Sequence, residues 1–335
     1  MKEFKKVNKT FIKSNNTTSK IFNRYLYCLF PYILLIVGYN LICGPIIEII
    51  DLLKSISISL TTTIIIQYIF NLTKKEKNIT KLFLEDNILT ISIILGLFSI
   101  HSPILVIVIS SAISIIIKNI LKNTNISSSL YGILIVLIYS YINNNINTPL
   151  FNLKELSYID TYSNVVKPYG NILSYTLGLE YYLSPVLSIL SFIYLFYKKS
   201  IKYNIVFSYI LTFIFIMLTF GLLNNMNIWY LFFQITTGNI LFLTVFCLTD
   251  YQNTPTTSEG QVIYGIILAI ITTILRFIIP ELSVVITLIL GPILLTKLIN
   301  RFSFKLKYNR KFYYITLTVS IFLVLLTTIV INTII

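Results

Sequence analysis

The sequence predicts an all-α, polytopic membrane protein, and three observations carry that prediction. Of its 335 residues 56% are hydrophobic and only 11% charged, whereas about a quarter of a soluble domain is charged. The mean hydropathy is +0.83, and the apolar residues collect in runs long enough to cross a bilayer, which takes about 20 residues. The basic excess, a formal net charge of +14, gathers in alternate connections between those runs, as positive-inside topology demands. Such a composition excludes a soluble enzyme, a disordered chain and a disulfide scaffold. The topological origin of the charge leaves no reason to expect nucleic acid as a partner. The expected partner is the lipid bilayer.

Eleven spans are expected, at about 25–47, 55–73, 87–100, 103–117, 130–143, 183–197, 203–222, 229–249, 261–279, 282–296 and 312–335. The basic tail ahead of the first run resembles a signal peptide, but the run is long and no small-residue cleavage site follows, so it reads as an uncleaved span. With that tail in the cytoplasm of a multi-pass plasma-membrane protein, 22 of the 26 Lys and Arg residues fall inside. Lys54, Lys154, Lys167 and Arg276 fall outside, where six acids accompany them; the balance is +16 inside and −2 outside. The expected division is a basic cytoplasmic tail (1–24), a first transmembrane repeat (25–143), a long extracytoplasmic loop (144–182), a second repeat (183–299), and a basic loop with an additional C-terminal helix (300–335). Connections as long as 144–182 are uncommon inside compact domains and are usually functional.

The repeat rests on two stretches, 87–120 and 239–276. Each has a short apolar segment, a polar break containing proline, and a second apolar segment closed by a basic residue. They enter the membrane from opposite sides, so two inverted five-helix repeats with broken or short helices are expected, followed by one extra helix. In such folds the working site lies where the interrupted segments meet.

Few residues can carry chemistry. Cys28, Cys43 and Cys247 sit in apolar stretches and read as small buried hydrophobes. With one histidine and no CxxC pair, neither a zinc site nor a Cys/His nucleophile is expected, and no catalytic side chain is assigned. Asp250 ends an apolar run inside the second break. A carboxylate there suits a cofactor anchor or a cation ligand, because an ionisable group deep in the membrane costs about 3 kcal/mol and is usually functional. It equally suits a turn cap that accepts backbone N–H groups. Arg276 reads as a partner of Asp250 or Glu281, or as a snorkelling interfacial residue. His101, in the first break, reads as a proton relay or as an interfacial side chain.

The second break is also the most specific motif. TDYQNTPTTSEGQ at 249–261, then an apolar span ending in Arg276, then Pro280-Glu281, resembles the family of RnfD and NqrB. These are the flavin-bearing membrane subunits of Rnf complexes and of sodium-pumping NADH:quinone reductase. Thr249, Asp250, Pro255, Thr257, Gly260 and Gln261 occur in the family's order, Gly238 matches one of two upstream glycines, and SNNTTSKIFNRYLYCLFP (14–31) is similar to the family's start. The chain departs from the pattern at Tyr251, where the family has proline, and at Asn239 and Leu243, where it has glycine. It departs again at His101-Ser102-Pro103 and at NTNISSS (123–129). On the long loop, IDTYSNVVKPYG keeps the family's Asp160 and Ser163 but has Val165-Val166 where members with covalent FMN carry Ala-Thr. A phosphoester needs a hydroxyl, and Val166 has none.

The resemblance implies a membrane subunit of an ion-translocating electron-transport complex that passes electrons through flavin and works with other subunits of that complex. It implies FMN or riboflavin held noncovalently, with Thr249, Asp250, Pro255, Thr257, Gly260, Gln261, Asp160 and Ser163 as the cofactor-binding candidates. A solute channel or permease on the same inverted fold, and a diverged homologue without redox activity, stay open as alternatives.

Overall fold

The computed structural model describes residues 18–42, 46–73, 87–121, 126–142, 183–223, 231, 234–236, 239–250, 253–279, 282–301 and 324. In chain order these form α1 (Thr18–Ile42), α2 (Ile46–Thr73), α3 (Ile88–Phe98), α4 (Ile104–Leu121), and a 3-10 turn (Ile126–Ser128) leading into α5 (Ser129–Ile142). Then come α6 (Pro185–Tyr197), α7 (Tyr203–Leu223), α8 (Ile240–Phe246), α9 (Ser258–Ile278) and α10 (Ser283–Leu290). The last continues through a π turn at Gly291–Leu295, where Pro292 has no N–H to offer the ladder. No strand occurs among the described residues. Among the described residues six helices are long and apolar enough to cross a membrane: α1, α2, α4, α7, α9, and α10 with its extension to Arg301. The protein is an all-α, multi-pass membrane protein.

Local chemistry explains where helices start. Ser184 caps α6, accepting from Leu187 N at 3.3 Å, with Pro185 in the first turn, where its missing N–H costs nothing. Thr257 caps α9, accepting from Gly260 N at 3.2 Å, so that helix begins at Ser258, three residues before the expected 261. The α2 helix begins at Ile46, nine residues before the expected 55. Its extra turns carry Glu48, Asp51 and Lys54 at a helix end, with an Asp51–Lys54 ion pair at 3.8 Å one turn apart. The expected span 229–249 is interrupted at Asn239, which adopts a left-handed conformation (φ 55°) directly before the seven-residue α8, and Leu231 and 234–236 ahead of it are helical. Asn87 does the same (φ 55°) directly before α3. The expected loop 144–182 and eleventh span lie outside the described residues, apart from Val324, which is buried beside Ile216 and Phe220 of α7.

The pairing of helices recurs along the chain. Within the first five, α1 packs on α3, α2 on α4, α3 on α5 and α4 on α5. Within the second five, α6 packs on α8, α7 on α9, α8 on α10 and α9 on α10. Between the two groups α1 meets α6 and α5 meets α10. The contacts of α1 with α2, of α2 with α3 and of α3 with α4 are additions to this scheme.

Small and hydroxylic residues hold these pairs, as expected where lipid gives no hydrophobic push between helices. Ser55 and Ser59 of α2 donate to Gly96 O and Ser92 O of α3, each at 2.9 Å. Tyr209 of α7 donates to Thr272 of α9 at 3.0 Å, and Thr272 to Thr287 of α10 at 3.1 Å. At the centre Tyr25 and Tyr32 of α1 stand edge-on to Phe246 of α8, with centroids 5.9 and 6.1 Å apart. Tyr32 also shares a hydrogen bond with Ser188 of α6 at 2.9 Å.

The bundle has two chemically different ends. At one, Arg24 of α1 donates to Lys198 O at 2.9 Å and Ser200 Oγ at 2.8 Å after α6, and Lys20, Lys118, Lys199, Lys202, Lys297 and Arg301 lie at helix ends on that side. At the other lie Glu48, Asp51, Lys54, His101 and Arg276. The described residues that the charge pattern assigns to opposite sides therefore lie at opposite ends of the bundle.

Candidate functional site

The second break, between α8 and α9, lies at the basic end and meets the other half of the chain. Asp250 is buried. Its Oδ2 accepts from Ser127 N at 3.2 Å and from Ser127 Oγ at 2.8 Å, on the 3-10 turn ahead of α5. Asn253 Nδ2 in turn donates to Ser127 Oγ at 2.9 Å. The Asp250 backbone carbonyl accepts from Asn253 N at 3.3 Å and Thr254 Oγ1 at 2.9 Å, which closes the turn. The carboxylate thus ties together segments 123 residues apart, beyond the local capping role the sequence suggested.

The remaining candidates divide by position. Thr249 donates to Val245 O at 2.8 Å, so the Tyr25 hydroxyl, 3.0 Å from Thr249 Oγ1, is the donor of that pair. Thr257 and Gly260 form the α9 cap. Gln261 Nε2 donates to Pro255 O at 3.2 Å, and Gln261 Oε1 accepts from Asn204 Nδ2 at 3.4 Å. These six residues build the break itself. Asp160 and Ser163, like Val166, Pro280 and Glu281, lie outside the described residues.

Two readings need correction. Arg276 does not pair with Asp250: they stand at opposite ends of α9, which is about 30 Å long. Nor does Arg276 snorkel at an exposed rim. It is buried, donates from Nε to Gln234 Oε1 at 2.6 Å, and lies over the Phe213 ring with 5.8 Å to the centroid. His101 is exposed at the other end, in electrostatic reach of Glu48 and Asp51 on α2.

Beside the Asp250 tie is a cavity of about 390 Å³. Its lining mixes apolar side chains (Leu121, Leu130, Leu288, Ile289, Pro292 and Ile293) with polar ones (Ser127, Asn253, Thr254, Thr296, Lys297 and Asn300) and Tyr131. The break and the π turn of α10 together shape it, and Asn300 Oδ1 joins them by accepting from Thr256 N at 3.2 Å. Of the lining residues, Asn253 and Thr254 lay within the quoted motif without being singled out. Ser127, Lys297 and Asn300 were missed because only the fold brings them to the break. The one signal for Ser127 was its place in NTNISSS, already marked as a departure from the family pattern.

A mobile hydroxyl in a charge-assisted bond is worth about 1.5–3 kcal/mol. Ser127→Ala is therefore expected to lower stability by that amount, because it removes the 2.8 Å bond and the acceptor of Asn253 while the Ser127 N–H contact stays. Thermal unfolding of detergent-purified protein measures it, and an unchanged midpoint would show that the tie carries no load.

Among the described residues no group of three or more His, Cys, Asp or Glu side chains could hold a metal ion. No characterised protein matches the chain in direct sequence comparison. The sequence profile of the NQR2, RnfD, RnfE family, however, matches residues 6–308. The chain belongs to that family and is a membrane subunit of the Rnf/Nqr type.

Proposed function

We propose that the protein is the flavin-holding subunit of an ion-translocating electron-transport complex, with FMN or riboflavin bound noncovalently in the cavity beside Asp250. The observation that carries this reading is a cavity beside the break whose lining mixes apolar side chains with a few polar groups. A cofactor site needs a volume of roughly 300–1,000 Å³, mostly apolar walls and a few placed polar groups, and the 390 Å³ cavity has all three. A flavin ring is flat and apolar on its faces and polar along one edge, so the residues present fit it. When bound, it would supply one-electron chemistry, while the protein supplies binding, orientation and electrostatics. Leu130, Leu288 and Ile289 would keep water from the ring faces. Asn253, Thr254 and Asn300 would hydrogen-bond the edge, and Lys297 would favour negative charge at that edge. The Asp250–Ser127 tie would hold these polar groups in place.

In this reading the recurring helix pairings reflect two inverted five-helix repeats, with an additional C-terminal helix. The basic end faces the cytoplasm, in keeping with the positive-inside rule, and other subunits of the complex pass electrons to and from the cavity. Val166 lacks the oxygen that a covalent FMN link requires, so any flavin is released by unfolding.

Native protein purified from its membrane is expected to show a flavin absorption spectrum, to lose the flavin on denaturation, and to leave no fluorescent band on a denaturing gel. Leu130→Trp, which fills the cavity, is expected to lower flavin content at least tenfold with insertion intact. Colourless protein that carries solute flux in vesicles would replace the redox reading with the permease. A fluorescent band at the mass of the chain would overturn the noncovalent assignment.

A further inference from the structure

A second arrangement at the same end shares Thr254 and Asp250 with the proposed flavin site but does not depend on flavin. Lys202, in the turn between α6 and α7, points its ammonium into the α8–α9 break. Nζ donates to Thr254 Oγ1 at 2.7 Å, to Thr254 O at 3.2 Å and to Pro255 O at 3.3 Å. An ammonium has three protons, and these three oxygens can take one each. The Asp250 carboxylate adds a favourable electrostatic contribution from the same break. Two backbone carbonyls, one hydroxyl and a nearby carboxylate, presented by an unwound segment between two helices, are the ligand chemistry by which membrane proteins hold alkali cations. Here the position is taken by a side chain of the protein itself.

We propose that this oxygen cage is a monovalent-cation site which the chain fills with its own ammonium, so that the proton on Lys202 and an alkali cation compete for the same oxygens. The exchange balances. Lys202 gives one proton to solvent and becomes a neutral amine, one cation of charge +1 enters, and the charge beside Asp250 is unchanged. No bond other than N–H is broken.

The surroundings allow the exchange near physiological pH. Burial pulls the Lys202 ammonium down from 10.5 to about 8, against the opposing pull of Asp250. The other charges nearby are Lys198 and Lys199 on its own turn, Arg24 of α1 bonded to that turn, and Glu259 in the first turn of α9, exposed and bonded by Ser258. The sign follows from linkage. Between about pH 8 and 10.5 the unfolded chain holds more protons at this group than the fold does, so its contribution to stability rises with pH across that window. Below about 8 the ammonium is in place and excludes other cations. Above it the cage is open.

The test is thermal unfolding of the full-length protein in detergent, in NaCl or KCl against choline chloride at equal ionic strength and equal pH. Wild type is expected to show no alkali-specific shift at pH 6.5 and, at pH 9.5, a rise in midpoint on the order of 2–4 °C. Lys202→Met keeps the stem and removes the proton, so the same rise is expected already at pH 6.5. Lys202→Arg cannot be deprotonated and is expected to show no alkali effect at either pH. Comparing NaCl with KCl identifies the ion. An alkali effect in wild type that is equal at the two pH values overturns the proposal, as does its absence at pH 9.5. If Lys202→Met does not fold, Lys202→Arg still decides, because an alkali rise at pH 9.5 in that variant rules out competition by the lysine. None of these readouts requires flavin, so the proposal can fail while the flavin reading stands, and the reverse.

Discussion

Asp250→Leu lowers stability by about 3–5 kcal/mol, the range seen when one partner of a buried charged arrangement is removed. The loss has two sources. Ser127 N–H and Oγ–H lose their carboxylate acceptor, and the Lys202 ammonium loses the negative charge that favours it. Asp250→Asn separates them, because an amide oxygen still accepts from Ser127 while the charge is gone. That variant is expected to insert normally, to keep more than half of the Asp250→Leu deficit from developing and, under the proposed redox function, to lose electron-transfer activity. Membrane insertion and detergent melting measure the first two effects. Activity of the complex measures the third, and unchanged activity in Asp250→Asn would reduce the carboxylate to a structural tie.

Gly265→Leu prevents α7 from packing on α9. A Cβ at Gly265 meets Ser208 Oγ, Ile205 O at 2.7 Å and Tyr209 N at 3.0 Å. The serine rotamer can turn away, but the other two atoms are backbone of α7, so the whole helix must move. Overpacking of this kind costs about 1–3 kcal/mol for small additions, and Gly265→Ala is expected to reach the top of that range. Leucine adds three more carbons to the same gap, so folded protein should fall below a tenth of the wild-type yield in size-exclusion profiles. The neighbouring pair Tyr209–Thr272, and through it Thr272–Thr287, would be lost together, which makes the effect cooperative. A normal profile for Gly265→Leu would show that α7 and α9 are not held by close approach.

How much of this was legible in the sequence depended on whether a feature was local. The membrane class, the helices and the two charged ends follow from hydropathy and basic residues, which act one segment at a time. The breaks were legible because proline, threonine and aspartate announce turns by their own chemistry. The start of α2 was not, since a hydropathy reading stops at Glu48, Asp51 and Lys54 while a helix can continue past charges into the interface. The interruption directly before α8 was hidden as well. Asn239 looks like any polar residue, and only its backbone angle reveals the interruption. Pairings such as Asp250 with Ser127, or Lys202 with Thr254, were beyond reach because no local pattern specifies a contact across 123 or 52 residues. The resemblance pointed to the right break, and geometry then shifted attention within it from the motif residues to the neighbours that line the cavity and the cage.

Asn87 and Asn239 share one backbone conformation at the entrances to α3 and α8. At Asn239 the related family has glycine, which reaches φ near 55° freely but is also the most disordered residue in an unfolded chain. Asparagine tolerates the same angle at small cost and samples far fewer conformations before folding. The substitution that looks like a loss of motif therefore leaves the left-handed entrance to α8 accessible, the narrower unfolded ensemble of asparagine being set against the backbone strain that glycine would not carry.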